Sequence, residues 1–123
     1  MTFLAVVEGD AGGWHVDRRA LTEAIRARWA EVGIDSSARS AVRSLIWGLD
    51  TTIGPGEAYL HEDGTCLYMD MWEEDAVWLV IAFRRLTPMH LDLVFCDEGY
   101  TFDVRVPAGT TEAELMALMR SAG

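Results

Sequence analysis

The period of the apolar positions changes several times along this chain, and each change marks a structural element. Residues 3–8, Phe-Leu-Ala-Val-Val-Glu, read as a strand, and the glycines and aspartate of residues 9–13 read as a turn. The period then becomes helical. Asp17 stands as an N-cap, Leu21, Ala24, Ile25, Trp29 and Val32 share one face, and Gly33 occupies the C-cap position. Residues 36–50 fit two periods: Ala38, Ala41, Val42, Leu45, Ile46 and Leu49 make a helical stripe, whereas Arg43, Leu45, Trp47 and Leu49 make one face of a strand. A strand from about Val42 is the favoured reading, because β-branched and aromatic residues gather there and Gly48 interrupts the helix.

Glu57 to Trp72 predicts a hairpin around a two-residue Asp63-Gly64 turn. Its register pairs Leu60 with Leu67, Tyr59 with Tyr68, Ala58 with Met69 and Glu57 with Asp70. Ala58, Leu60, Leu67 and Met69 then form the buried face, and Glu57, Tyr59, His61, Cys66, Tyr68 and Asp70 the other. The apolar run from Ala76 to Phe83 is entered through Glu73-Glu74-Asp75 and left through Arg84-Arg85, with Pro88 beyond. Acids first and arginines last complement a helix dipole, so a helix buried over much of its circumference is expected, with a strand as the alternative for so short a run.

Leu91 to Val106 predicts a second hairpin turning at Glu98-Gly99, with Leu91, Leu93, Phe95, Phe102, Val104 and Val106 on one face and Asp92 across from Arg105. A last helix starts at the capping box Thr111…Glu114 and carries Leu115, Leu118, Met119 and Ala122 on one side. The order predicts one α+β domain over residues 1–123, a largely antiparallel sheet of about six strands with helices packed on one face.

Composition adds a charge asymmetry. The net charge is −10, yet residues 1–49 hold six acids and six arginines, while residues 50–75 hold eight acids and no arginine. Such a segment steers cationic partners and repels phosphates, so a basic protein is the expected partner and direct nucleic-acid binding is disfavoured. All ten basic residues are arginine, and the absence of lysine excludes Schiff-base chemistry and a phosphate-loop lysine. The longest apolar run is too short to span a bilayer, so no membrane association is expected. Residues 1–7 lack the basic start of a secretory signal, which places the chain in the cytoplasm with Cys66 and Cys96 reduced.

The strongest functional candidate is the polar face of the first hairpin with its turn and exit: Glu57, Tyr59, Glu62, Asp63, Tyr68, Asp70 and Trp72. Glu57 and Asp70 face each other across the strands, where like charges destabilise unless a cation intervenes, and the aromatics beside them suit arginine or lysine side chains of a partner. Catalytic, cofactor and metal patterns are weak. His61 and Cys66 are cross-strand neighbours without the paired-cysteine spacing of a zinc site. Asp70, Glu73, Glu74 and Asp75 lack the alternation and glycine of a calcium loop. Cys96, beside Asp97 and Glu98, lies in the wrong electrostatic setting for a thiolate.

Three stretches carry a family resemblance: Trp47-Gly48-Leu49, the run from Glu73-Glu74-Asp75 to Arg84-Arg85-Leu86-Thr87-Pro88, and Leu93-Val94-Phe95-Cys96-Asp97-Glu98-Gly99-Tyr100. Together they resemble, over roughly residues 45–118, the small acidic immunity proteins that accompany bacterial polymorphic toxins. The resemblance implies a compact α+β fold that binds and blocks one cognate toxin domain, and it assigns no individual residue. The expected function is therefore an acidic protein-binding module, as inhibitors and immunity proteins are, without a cofactor. A small enzyme or ligand-binding domain with a pocket between sheet and helices is the alternative, and a homodimer burying the same face is a third arrangement.

Overall fold

The computed structural model describes residues 2–122. In chain order the elements are β1 (Thr2–Glu8), α1 (Arg18–Arg28), β2 (Val32–Asp35), β3 (Leu45–Thr51), β4 (Gly54–Leu60), β5 (Cys66–Asp70), α2 (Glu73–Arg85), β6 (Asp92–Asp97), β7 (Asp103–Arg105) and α3 (Glu112–Ala122). The strands form one open, antiparallel sheet in the order β2-β3-β4-β5-β1-β6-β7, with all three helices on one side. The fold is α+β as expected, with seven strands instead of about six. No helix among the described residues is long and apolar enough to cross a membrane.

The additional strand comes from the end of α1. Asp17 caps this helix as expected, accepting from the N–H groups of Arg19 and Ala20 at 3.0 and 3.1 Å. The helix stops at Arg28, however, and Trp29 is already extended. Val32 and Gly33 belong to β2, where Val32 faces Leu49 and Gly33 faces Gly48. Val32 kept the helical spacing because it packs against the same core from a strand.

The β4–β5 register agrees with the hydrophobic pattern: Glu57 faces Asp70, Ala58 faces Met69, Tyr59 faces Tyr68 and Leu60 faces Leu67. Ala58, Leu60, Leu67 and Met69 are fully buried. The connection is a longer loop than the tight turn expected, because Gly64 is left-handed and Asp63 is not. Gly64 donates to His61 O at 2.9 Å, and its own carbonyl accepts from Val16 at 2.9 Å. A Cβ at Gly64 would lie 2.7 Å from that of His15, so position 64 requires glycine on two counts.

The β6–β7 register is shifted by two residues from expectation: Val94, not Asp92, faces Arg105, and Phe95 faces Val104. A turn does form at Glu98-Gly99, but Tyr100 follows it in the left-handed region and the Asp97 carboxylate accepts from Thr101 N at 2.7 Å and from the Thr101 hydroxyl. A two-residue shift keeps every side chain on its face, so the apolar pattern cannot detect it. Leu91, Leu93, Phe95, Phe102, Val104 and Val106 are all buried as expected.

Helix α2 lies across the sheet between α1 and α3, and nine of its 13 residues are buried. Trp29 and Trp78 pack edge to face at 5.6 Å where α1 meets α2, and the Arg28 guanidinium lies against both rings while reaching Asp75 at 3.1 Å. At the far end of α2, buried Arg84 donates to the carbonyls of Leu91 at 2.7 Å and Pro88 at 2.9 Å, which closes the turn into β6. Trp47, Phe83 and Phe95 are among the large side chains that fill the space between sheet and helices. The capping box of α3 forms, with Glu114 N–H donating to the Thr111 hydroxyl at 3.2 Å. Leu115 and Met119 face the core, but Leu118 is turned outward.

Leu67→Ala is expected to cost about 2 to 5 kcal/mol in urea unfolding, as for other fully buried leucines. Leu118→Ala should stay within about 0.5 kcal/mol of the parent.

Candidate functional site

Because the helices share one side, no helix or strand among the described residues covers the opposite side of the sheet. Its middle row runs Ile46, Tyr59, Tyr68, Leu4 and Cys96 across β3, β4, β5, β1 and β6. A second row places Cys66, Val6 and Val94 beside it, ending at Arg105. On the other flank lies Gly48, Glu57, Asp70 and Thr2. The outer face is thus an apolar and aromatic stripe bordered by charge.

Tyr59 and Tyr68 stack face to face, 4.9 Å between centroids and 7° between planes. This pairing follows directly from the register and leaves Tyr59 only 8% exposed without a helix over it. The like-charged neighbours Glu57 and Asp70 are adjacent as expected, and an internal cation pairs with Glu57. Arg43 reaches Glu57 Oε1 at 2.6 Å and places its guanidinium 4.1 Å over the Tyr59 ring.

The loop between β2 and β3 brings Arg43 there. Asp35 anchors its start, accepting from Ser37 N at 2.9 Å, from the Ser37 hydroxyl at 2.6 Å and from Arg39 Nε at 2.6 Å. These contacts, the Ser37 hydroxyl first, hold the Asp35 carboxyl well below the usual carboxylate range. Ser44 fixes the other end by donating to Leu60 O at 2.8 Å. At the opposite border, Arg105 bridges Glu8 at 2.8 Å and Asp92 at 3.0 Å, so the expected Asp92 pairing forms as a diagonal contact.

The remaining residues of the expected surface lie elsewhere. Glu62 and Asp63 are in the β4–β5 loop, where Glu62 N–H donates to Ala41 O at 2.7 Å and its carbonyl accepts from Arg18 at 3.3 Å. Trp72, half exposed, lies past Asp70 at the start of α2. Glu57, Tyr59, Tyr68 and Asp70 therefore form one patch, Trp72 extends it at the Asp70 end, and the loop acids are separate from it.

Both thiols point to this face. Burial pushes the Cys66 thiol up to about 11, against an opposing hydrogen bond from Tyr68, and burial followed by Cys66 raises the Tyr68 phenol to about 12. Cys96 is also raised by burial, then by Asp103 and Asp97. Neutral thiols at physiological pH are poor nucleophiles and poor metal ligands. His61 turns its imidazole to Asp63, 3.4 Å away. Among the described residues no three His, Cys, Asp or Glu side chains gather in a metal-binding arrangement.

Sequence reasoning missed Leu4, Val6, Ile46, Val94 and Arg43 as members of this face. A signal was present for the first four: Phe-Leu-Ala-Val-Val in β1, Leu-Ile-Trp in β3 and Leu-Val-Phe in β6 are apolar at every position, whereas a strand with one wet face alternates. No family model, curated protein or solved structure matches the chain significantly.

Arg43→Ala is expected to lower the melting temperature by a few degrees, and adding Glu57→Gln should recover part of the loss by relieving the repulsion with Asp70. A double variant no more stable than Arg43→Ala would refute that account. The raised thiol and phenol give a second expectation. Their protons stay bound in the folded chain after the unfolded chain, with an ordinary thiol value of 9.0, has begun to release them. The associated stability is complete below that pH and is lost as pH rises through about 11 and about 12. Thermal melts followed by circular dichroism should fall across this window, and Cys66→Ala should flatten its lower part.

Proposed function

We propose that this protein is an acidic binding module that seats a basic protein partner on the uncovered sheet face, as an inhibitor or immunity protein does. The observation that carries the reading is the apolar character of β1 and β6 on both faces when helices cover only one. Leu4, Val6, Val94 and Cys96 point away from the helices, with Leu4 and Val6 partly exposed and Val94 and Cys96 buried among their neighbours. A continuous apolar stripe with a polar rim is the usual form of an interaction surface.

Charge selects the partner. The rim carries Glu57 and Asp70 at one border and Glu8 and Asp92 at the other, on a chain of net charge −10. Two copies of this face would bring like fields together, whereas a basic polypeptide gains from them in both approach rate and specificity. Arg43 and Arg105 compensate part of the rim from within, so the apolar stripe and the aromatic residues supply the close contact.

Affinity capture from the native cell at low salt, followed by elution at moderate salt, is expected to yield a basic polypeptide. Titration of that protein against Glu57→Gln combined with Asp70→Asn should show binding about tenfold weaker and less salt-dependent. Leu4→Arg, in the centre of the stripe, should abolish it while the fold is retained by circular dichroism. Unchanged affinity and salt slope in both variants would overturn the reading. A concentration-dependent dimer that Leu4→Arg dissolves would assign the face to a second copy instead.

A further inference from the structure

Strand β2 ends the sheet, with β3 as its only neighbour. Alternate residues of an antiparallel strand turn both N–H and C=O to the same side, so two of the four residues of Val32–Asp35 send these groups away from β3. Among the described residues nothing pairs with them there. The edge is also bare of side chains: Gly33 is exposed with nothing within 4 Å of where its Cβ would stand, and Ile34 is 42% exposed. Ile34 faces Trp47, which reaches Thr22 of α1 at 2.9 Å, so it lies on the helix side of the sheet but outside the helices' cover. The opposite edge is protected. Strand β7 has three residues, carries the charged Asp103 and Arg105, and packs against α3. Strand β2 has no proline, and its one charge, Asp35, is tied to Arg39 at 2.6 Å.

Charge decides between a second copy and a basic polypeptide as the occupant of this edge. The acidic surplus lies beyond Leu49, whereas β2 belongs to the part of the chain in which six acids meet six arginines. The charged residues around it in sequence, Arg26, Arg28, Glu31, Asp35 and Arg39, nearly balance. A cationic segment therefore finds no attracting field here, and a like chain finds none against it. The nearest acids of the surplus, Asp50 on β3 and Glu57 on β4, would stand about three and five strand spacings from their copies across the edge, ~14 and ~24 Å, outside the ~8 Å screening length.

We propose that β2 pairs antiparallel with β2 of a second copy about a two-fold axis normal to the sheet, so that the two seven-stranded sheets run on as one. Such an axis keeps the helices of both copies on one side. Side chains directly opposite each other share a face, so the residue at the axis must face its own copy. Centring on Gly33 would set Glu31 directly against Asp35 of the second copy, a destabilising like-charged pair. Centring on Ile34 sets the two exposed isoleucines against each other and Asp35 against the bare Gly33, where the Asp35–Arg39 pair meets no side chain. The second register is the one assigned. It leaves the outer face of each copy uncovered, so the pairing is independent of the binding function proposed above.

The test is sedimentation velocity of the full chain from about 10 µM to about 1 mM at about 0.15 M salt, where a monomer is expected to pass into a dimer of the weak affinity that suits a small interface. Over the same range, amide hydrogen exchange read by NMR should slow by at least about fivefold within residues 32–35 and stay unchanged in β7. Ile34→Lys places a charge on the open edge at a position that folding leaves exposed, and should weaken the dimer at least about tenfold with an unchanged circular dichroism spectrum. Leu4→Arg, on the outer face, should leave the dimer intact. A chain that stays monomeric throughout, or a dimer that Ile34→Lys does not weaken, would overturn the edge pairing. So would a dimer that Leu4→Arg dissolves, because that contact belongs to the outer face.

Discussion

Helix α2 has almost no side to give to solvent: from Asp75 to Arg84 every residue except Trp78 is buried. A helix apolar around its whole circumference must be covered all round, by the sheet beneath and by other helices on its flanks. That demand draws α1 and α3 to the same side of the sheet, against α2, and no helix is left for the other side. Its ends are held by charge of the appropriate sign. Acids occupy the first turn, and Arg84 at the last turn ties the next loop through two carbonyls instead of a carboxylate. The one-sided cover of the sheet is thus the consequence of one helix that cannot be exposed, and the bare face follows from it.

The bare face is stabilised by means that a helix-covered face does not need. Tyr59 and Tyr68 bury each other by stacking, and Arg43 covers the outer side of Tyr59 while neutralising Glu57. Arg105 draws together acids from β1 and β6 at the opposite border. These contacts are polar at the rim and apolar in the middle, which is why we propose a binding role for this face. The acidic surplus is reduced where arginines reach it, so the local field is weaker than the net charge suggests.

How far the sequence reveals all this depends on the range of the signal. The β4–β5 register was legible because alternation over Ala58, Leu60, Leu67 and Met69 and a glycine at position 64 agree, even though the loop itself is longer than a two-residue turn. The β2 strand was hidden because Val32 contacts the same core from a strand that it would contact from a helix. The β6–β7 shift was hidden because two residues restore the same face. Arg43 was the least legible of all. Its partner Glu57 is distant along the chain, and its position depends on how Asp35 and Ser44 fix the ends of a loop. Glu57 and Asp70 were expected to draw a cation from a partner; Arg43 of the same chain reaches Glu57, a tertiary fact that pairing rules do not contain.

This last point changes what the acidic segment means. If every acid between residues 50 and 75 faced water without a partner, the segment would act mainly as a diffuse field that accelerates encounters with any basic protein. Internal arginines instead close ring-and-carboxylate clamps at Tyr59 and at Trp78, while Glu62 and Asp63 stand apart in the β4–β5 loop and Glu73 and Glu74 in the first turn of α2. Field and contact are then divided in space. Under the binding function we propose, the surplus acids would set the sign of the partner and the rate of approach, while apolar and aromatic contacts would set how long it stays. Under that proposal, a polycation without matching apolar groups would be attracted by the first and released for want of the second, which makes the stripe the source of selectivity.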